Sequence, residues 1–178
     1  AALDGALCID VMVVYTPAAR ARAGSTANME LRILNEVAAT NAAYASSLAS
    51  QRLRLVHMAE LAYTETRDPS SELNRLRDTS DGFLDSVHAL RNCYGADCVS
   101  LIVEDLGPTA CGIAFLMGSG SVGPGFASYA FSVVDYDCMA GYYSFAHELG
   151  HNMGCHHDRG SASGAPAYPY AYGYRTPD

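Results

Sequence analysis

One run of histidines near the end of the chain constrains the fold and the chemistry more than any other feature. His147, Glu148 and His151 form a His-Glu-x-x-His pattern, and Gly154 and His157 follow at fixed spacing. On a helix with about 3.6 residues per turn, His147 and His151 lie one turn apart on the same face. Their two imidazoles can therefore converge on one ion.

Gly154 explains how a third imidazole reaches the same point. A glycine can adopt a positive φ, end the helix and turn the chain back, so His157 can approach from another side. Three neutral imidazoles leave one position of a tetrahedral Zn²⁺ open for water, which is the catalytic arrangement. We therefore predict that His147, His151 and His157 bind Zn²⁺ and that Glu148 is the general base for a zinc-activated water.

The neighbours of the motif carry further expectations. Ser144 is placed to cap the start of the helix, and Asp158 is expected to steady the turn after the third ligand. His156 comes one residue too early for the spacing, so we expect it to face solvent. Cys155 could bind zinc as a thiolate, but a closed site with four protein ligands would prevent catalysis.

The pattern from His147 to Asp158 resembles that of the metzincin zinc proteases, and the aspartate after the third histidine resembles the reprolysin or adamalysin-type branch. Other stretches are similar to secreted bacterial reprolysin-like proteases, among them the peptidyl-Asp metalloendopeptidases. They are residues 11–20, 99–103, 111–117 and 170–174. The resemblance implies a zinc endopeptidase of the zincin fold. It also implies cleavage before acidic residues of the substrate, which requires a cation in the primed-side pocket. The candidates for that cation are the arginines after the motif, Arg159 and Arg175.

The same resemblance gives a role to residues 112–117. In metzincins the strand at this position is the exposed sheet edge above the active-site helix, and a peptide substrate pairs with it as an added strand. An unpaired edge offers N–H and C=O groups to any extended chain; the alternative is an ordinary hairpin strand with no ligand. The residues predicted to bind substrate are Gly112, Ile113, Ala114, Phe115 and Leu116.

The chain departs from the metzincin pattern in one respect. Metzincins carry a methionine turn after the third histidine, whereas the last methionine here is Met153. We expect residues 1–157 to form the catalytic N-terminal subdomain with the active-site helix. Residues 158–178 are expected to begin a C-terminal subdomain that is incomplete.

Apolar runs and turn residues predict an α/β fold. Strands are expected at residues 8–15, 53–64, 99–104, 112–117 and 126–135. A long helix follows Ser25, and a second helical region follows Asp68. Together with the resemblance, this order predicts a twisted, mostly parallel five-stranded sheet with an antiparallel edge strand. The face of the long helix expected to pack on the sheet comprises Leu31, Leu34, Val37, Ala38, Ala42, Ala45 and Leu48.

Composition limits the classes of partner. The 178 residues suit one domain, and the formal net charge is -8, with arginine as the basic residue throughout. An acidic surface lacks the cationic footprint that binds phosphate, so we expect neither nucleic acid nor a membrane as partner. We expect a secreted monomer that acts on peptide or protein substrates and that a pro-segment or inhibitor can occupy.

Six cysteines suit an oxidising compartment. Cys93 and Cys98 flank a short turn, which favours a local bridge between them. Cys111 and Cys138 bracket the segment before the active-site helix, where a bridge would hold that segment near the site. Cys8 and Cys155 are left without an assigned partner.

Two other functions stay open at the level of sequence. One is a zinc-stabilised secreted binding module that keeps the metal without catalysis. The other is a latent or autolysed protease in which Cys155 or an inhibitory segment occupies the fourth zinc position. The glutamate after the first histidine favours the active enzyme over the binding module.

Overall fold

A computed structural model describes residues 8–139 and 141–176. The strands are β1 (Cys8–Tyr15), β2 (Arg52–Glu60), β3 (Cys98–Val103), β4 (Gly112–Ala114), β5 (Phe131–Asp135), β6 (His156–Asp158) and β7 (Tyr172–Gly173). The α-helices are α1 (Pro17–Ala23), α2 (Thr26–Ser46), α3 (Pro69–Arg77), α4 (Ser86–Tyr94), α5 (Tyr136–Met139) and α6 (Ser144–Asn152), and Pro124–Tyr129 is a 3₁₀ helix.

The first five strands form one sheet in the order β2-β1-β3-β5-β4. Neighbouring strands are parallel except for β4, which pairs antiparallel to β5 at the edge. The predicted α/β class and the mostly parallel five-stranded sheet are confirmed. Strands β6 and β7 pair separately, in the stretch that follows the active-site helix.

Helices cover both faces of the sheet, so β3 and most of β1 and β5 are buried. In β1, Val11 and Val13 point into a core shared with α2 and α6, whereas Met12 and Val14 point into a second core shared with α3 and α4. Successive side chains of a strand point to opposite faces. A continuous apolar run is therefore the pattern that this position requires.

The predicted packing face of α2 is wrong. Leu31, Leu34 and Leu48 are 57%, 49% and 93% exposed, and the predicted alanines are exposed as well. The helix instead buries Met29, Ile33 and Val37, which follow one another at a spacing of four residues. Val37 belongs to both the predicted and the observed buried face, and alanine is compatible with either a buried or an exposed position. Periodicity alone therefore could not identify which face of α2 is buried.

Three of the predicted strands are shorter than expected. β2 ends at Glu60, β4 ends at Ala114, and β5 begins only at Phe131. The preceding segment, Pro124–Tyr129, is a 3₁₀ helix because Pro124 starts a turn in which the Phe126 N–H donates to the Gly123 carbonyl. Local hydrogen bonds there replace a strand ladder.

The structure pairs Cys111 with Cys138, as predicted. The predicted bridge between Cys93 and Cys98 is wrong, since both are free. Cys98 is buried in the core on the α2 and α6 side of the sheet, whereas α4, which carries Cys93, packs on the other side. The two thiols are close in sequence but lie in different surroundings.

No helix among residues 8–139 and 141–176 is long and apolar enough to cross a membrane. The predicted division into residues 1–157 and 158–178 stays a prediction, and its outer ends lie outside the described residues.

Candidate metal centre

Helix α6 carries the first half of the histidine motif. Phe145 and Leu149 are buried and fix the helix on the sheet, where it contacts β4 and β5. The predicted cap is wrong: Ser144 is itself the first helical residue and is buried, and Tyr143 occupies the cap position with φ of 56° and no side-chain hydrogen bond. The start of α6 is therefore set by tertiary packing.

Gly154 ends the helix as predicted, with φ of 90°. A Cβ at this position would also lie 2.6 Å from Cβ of Ala167, so space as well as backbone conformation requires glycine. The chain then turns into β6, which carries His157.

The three predicted ligands come together at one point. Nε2 of His157 lies 3.2 Å from Nε2 of His147 and 3.1 Å from Nε2 of His151. Within the described part of the chain, this is the one group of three or more ligand-type side chains with converging atoms. His147 and His157 are exposed, so the cluster opens to solvent.

The surroundings keep two of these imidazoles in the form that binds metal. Partial desolvation within the cluster lowers the pKa of His147, and the neighbouring His151 and His157 lower it further. Burial likewise lowers the pKa of His151. Nδ1 of His151 lies 2.8 Å from the carbonyl oxygen of Cys155, so Nδ1–H donates there and leaves the Nε2 lone pair free.

Glu148 is largely buried, with its side chain between α6 and the start of β4. The residue is 6% exposed, and burial raises the pKa of its carboxyl to about 7. A carboxyl whose pKa lies near neutrality can both accept and return a proton. Such a shift is typical of functional sites.

His156 is not solvent-facing, which corrects the expectation from spacing. It is buried, it stacks on Tyr172, and its Nε2 lies 3.0 Å from the Ser163 carbonyl oxygen. Its Nδ1 accepts the backbone N–H of His157 at 2.8 Å. His156 therefore holds the backbone of a predicted ligand, a role that the motif spacing gave no sign of.

Asp158 steadies the turn after His157, as expected. Its carboxylate accepts the Gly160 N–H at 2.9 Å, and its carbonyl accepts the N–H groups of Ser161 and Ala162. The side chain of Ser161 contributes most to lowering the pKa of Asp158.

The backbone of β4 offers only part of the predicted substrate edge. The Cys111 carbonyl accepts from Asp135, and the Phe115 N–H donates to Phe131, so these residues bond towards β5. In an antiparallel ladder, alternate residues bond to alternate sides. The N–H and C=O groups of Gly112 and Ala114 thus face the open edge.

The other residues predicted to bind substrate have fewer free backbone groups or lie outside β4. Ile113 pairs with Val133 of β5, and the Phe115 carbonyl accepts from Nδ2 of Asn152 at 2.8 Å. Leu116 lies beyond the end of β4. Asn152, which the sequence did not single out, also donates to the Phe131 carbonyl and so joins α6 to the sheet.

An open cavity of about 710 Å³ adjoins the histidines. His147 and His157 line it together with Arg175, whose Nε lies 3.9 Å from a carboxylate oxygen of Asp158. Arg159 is held elsewhere, over the ring of Tyr172. Of the two arginines after the motif, the structure places Arg175 beside the site.

Cys155 is not part of the histidine cluster. The converging ligand atoms found among the described residues come from the three histidines alone. Cys155 instead lines a separate, mostly apolar cavity together with Cys98 and Tyr44.

Two bacterial metalloendopeptidases are similar to almost all of this chain. A peptidyl-Asp metalloendopeptidase of Stenotrophomonas maltophilia is 40% identical over 94% of the chain. One from Xanthomonas campestris is 36% identical over the same share. The chain covers 38% of the length of each of these two relatives.

A solved structure titled "Structure of a chaperone-substrate complex" contains a similar fold. It superposes with a TM-score of 0.67 at 23% identity, covering 86% of this chain and 24% of the other. At this identity the likeness concerns the fold alone.

The likeness to a known family extends from the first strand to the end of the described chain. Residues 8–176 match Reprolysin_5, a group within metallopeptidase family M12. This match includes α6, the turn at Gly154 and all three clustered histidines. The chain therefore belongs to metallopeptidase family M12.

Proposed function

We propose that this protein is a secreted zinc endopeptidase in which His147, His151 and His157 bind Zn²⁺ and Glu148 is the general base. The convergence of the three Nε2 atoms, 3.1 and 3.2 Å apart at His157, carries the proposal. The names of the relatives support the endopeptidase activity. The disulfide between Cys111 and Cys138 supports secretion, because such bridges persist in oxidising compartments.

The donor set fits zinc. In a tetrahedral site with Zn–N distances of about 2.0–2.1 Å, two ligand nitrogens lie about 3.3 Å apart. The observed spacings are close to this value. When bound, zinc acts as a Lewis acid and lowers the pKa of a coordinated water. Three imidazoles leave a coordination position for that water.

Glu148 supplies the proton chemistry. Its carboxylate takes a proton from the attacking water and later returns it to the amine that leaves. Burial between α6 and β4 keeps bulk water from competing for that proton. Since the attacking group is water, no covalent acyl-enzyme forms.

The peptide substrate pairs with the outer edge of β4. Gly112 and Ala114 direct N–H and C=O groups to that edge, and β4 ends the strand order of the sheet. An extended peptide can add there as a further strand. This arrangement corresponds to the substrate edge expected for a metzincin. Only Gly112 and Ala114 contribute to it, because the backbone groups of their neighbours bond to β5.

Substitution of Glu148 tests the activity. Glu148→Gln keeps the size of the side chain but cannot accept the proton, so kcat should fall by about 10²- to 10⁴-fold. Zinc content, measured by elemental analysis, should stay at one ion per chain. Full activity in this variant would remove Glu148 from the mechanism. Wild-type protein that binds zinc but cleaves no peptide would favour the binding module.

The second part of the proposal concerns specificity. Arg175 lies beside the histidines with a mostly exposed side chain, and the relatives bear the name peptidyl-Asp. Its guanidinium suits an acidic side chain of the substrate. Arg175→Ala should lower kcat/KM for an Asp-containing peptide by about 10- to 100-fold and leave the Asn-containing analogue nearly unchanged.

Arg159→Ala is the matched control for this test, because it removes the same charge from a position over Tyr172. Its preference for Asp over Asn should equal that of the wild type. Equal losses on both peptides in Arg175→Ala would contradict a role in recognition.

A further inference from the structure

The side chain of Glu148 packs against Gly112, the glycine of the edge strand β4. A Cβ built on Gly112 would lie 2.6 Å from Oε1 of Glu148, 2.7 Å from its Cγ and 2.9 Å from its Cδ. Carbon atoms in favourable contact are about 3.5–4.0 Å apart. Any side chain at position 112 would therefore displace Glu148.

Space, rather than backbone conformation, requires this glycine. Gly112 is not among the glycines with positive φ, and it sits in a regular antiparallel strand opposite Val134. Alanine is compatible with such a backbone. The cost of a substitution therefore falls on Glu148.

The carboxylate of Glu148 has no hydrogen bond or ion pair with any residue in 8–139 or 141–176. The side chain is nevertheless buried. Its orientation is thus set by the atoms packed around it, and the backbone of Gly112 is one wall of that space.

The backbone at Gly112 is held in place by bonds made by the preceding residue. The adjoining residue, Cys111, is bonded to Cys138 in α5, the helix that follows β5, and its carbonyl accepts the N–H of Asp135 at 3.0 Å. The start of β4 therefore cannot retreat easily when something presses on it. A clash at position 112 is relieved by movement of Glu148.

We propose that Gly112 is the positioning residue for Glu148: its bare backbone both leaves room for the carboxylate and fixes where that carboxylate lies. The proposal rests on the proposed function in so far as Glu148 is the general base. It ties the substrate edge and the proton acceptor together, since Gly112 also directs its backbone groups to the open side of β4. A substrate strand paired at Gly112 is thereby placed at a set distance from the base.

The first test is kinetic. A displacement of about 1 Å in a catalytic group can cost about 10²-fold in rate, so Gly112→Ala should lower kcat by that order. KM should change by less than about threefold, because the backbone groups that pair with substrate remain. Gly125→Ala is the matched control, since a Cβ there meets nothing within 4 Å. Its kcat should equal that of the wild type.

The second test needs no activity. Gly112→Ala should lower the melting temperature in the wild-type background. In the Glu148→Ala background, where the clashing atoms are gone, the same change should cost little or nothing. Such non-additivity is the sign of a direct contact between two residues.

The outcomes separate this proposal from the proposed function. Equal melting losses in both backgrounds, or an unchanged kcat in Gly112→Ala, would overturn the positioning role. If the wild-type protein cleaved no peptide, the enzyme proposal would fail, and the melting experiment would still decide whether Gly112 fixes Glu148.

Discussion

Nδ1 of His151 lies 2.8 Å from the carbonyl oxygen of Cys155, so one predicted ligand is oriented by the turn that delivers another. The contact uses the backbone of Cys155 and not its thiol. The carbonyl fixes the imidazole as the tautomer that presents Nε2 to the metal. The end of α6 and the approach to His157 are thereby joined through a single hydrogen bond.

We predict that metal binding stabilises the fold through this joined unit. A ligand that binds only the folded state adds about 4 kcal/mol at a thousandfold excess over Kd. Chelation should therefore lower the melting temperature, and zinc should restore it, as measured by differential scanning calorimetry. His157→Gln should abolish the zinc-dependent shift, whereas Cys155→Ala should keep it. A lost shift in Cys155→Ala would make the thiol a ligand.

Substitution of Gly154 should damage both stability and metal binding. Gly154→Ala forces a side chain to φ of 90° and against Ala167. Strain of this kind costs about 1–3 kcal/mol. Urea unfolding should show a loss of that order, and zinc titration should show weaker binding because His157 moves. Gly120→Ala is the control, since its φ is ordinary and its Cβ meets nothing within 4 Å.

The buried carboxyl of Glu36 should make stability depend on pH. Burial raises its pKa in the folded protein, and Arg32 offsets this only in part. A carboxyl with a raised folded pKa stabilises most below its unfolded pKa and loses that contribution as pH rises through the folded pKa. Glu36→Gln should therefore be more stable than the wild type at neutral pH and equal to it in acid.

The difference in unfolding free energy between Glu36→Gln and wild type, measured from pH 3 to 8, checks this sign. Glu30→Gln removes a similar charge from the same helix at a less buried position. It should not reproduce the pH-dependent gain. A Glu36→Gln protein that is less stable at pH 7 than the wild type would show that the carboxylate is favourably paired.

The free thiols should differ in reactivity. Cys93 is exposed, whereas burial raises the pKa of Cys98 to about 11. Alkylation requires the thiolate. Iodoacetamide at pH 8 should label Cys93 in the native protein and Cys98 only after unfolding, as peptide mass spectrometry can show. Recovery of a Cys93–Cys98 bridged peptide would contradict the structure.

The sequence and the structure agree best where a pattern is local and specific. His147 and His151 lie one turn apart on α6, and the turn at Gly154 returns His157 to them, so local geometry brings the three histidines together. The continuous apolar runs of β1 and β3 likewise predict strands that are buried on both faces of the sheet.

Prediction failed where several arrangements fit the same pattern. In α2 the true stripe through Ile33 and the predicted stripe through Leu34 differ by one position, and only the packed sheet distinguishes them. Ser144 is a good cap residue in isolation, yet packing begins the helix with Tyr143 at the cap. His156 was expected to face solvent because its partners, Tyr172 and Ser163, come later in the chain and are not part of the motif.

The sequence by itself predicted the cluster of three histidines, the helix that carries two of them, the glycine that ends that helix and the α/β class, since each depends on residues close together in the chain. Only the tertiary structure decided that Glu148 rests against Gly112, that Arg175 borders the histidines and that Asn152 joins α6 to the sheet. Those contacts link separate elements. Their positions follow from how the sheet and helices pack, which no local spacing encodes.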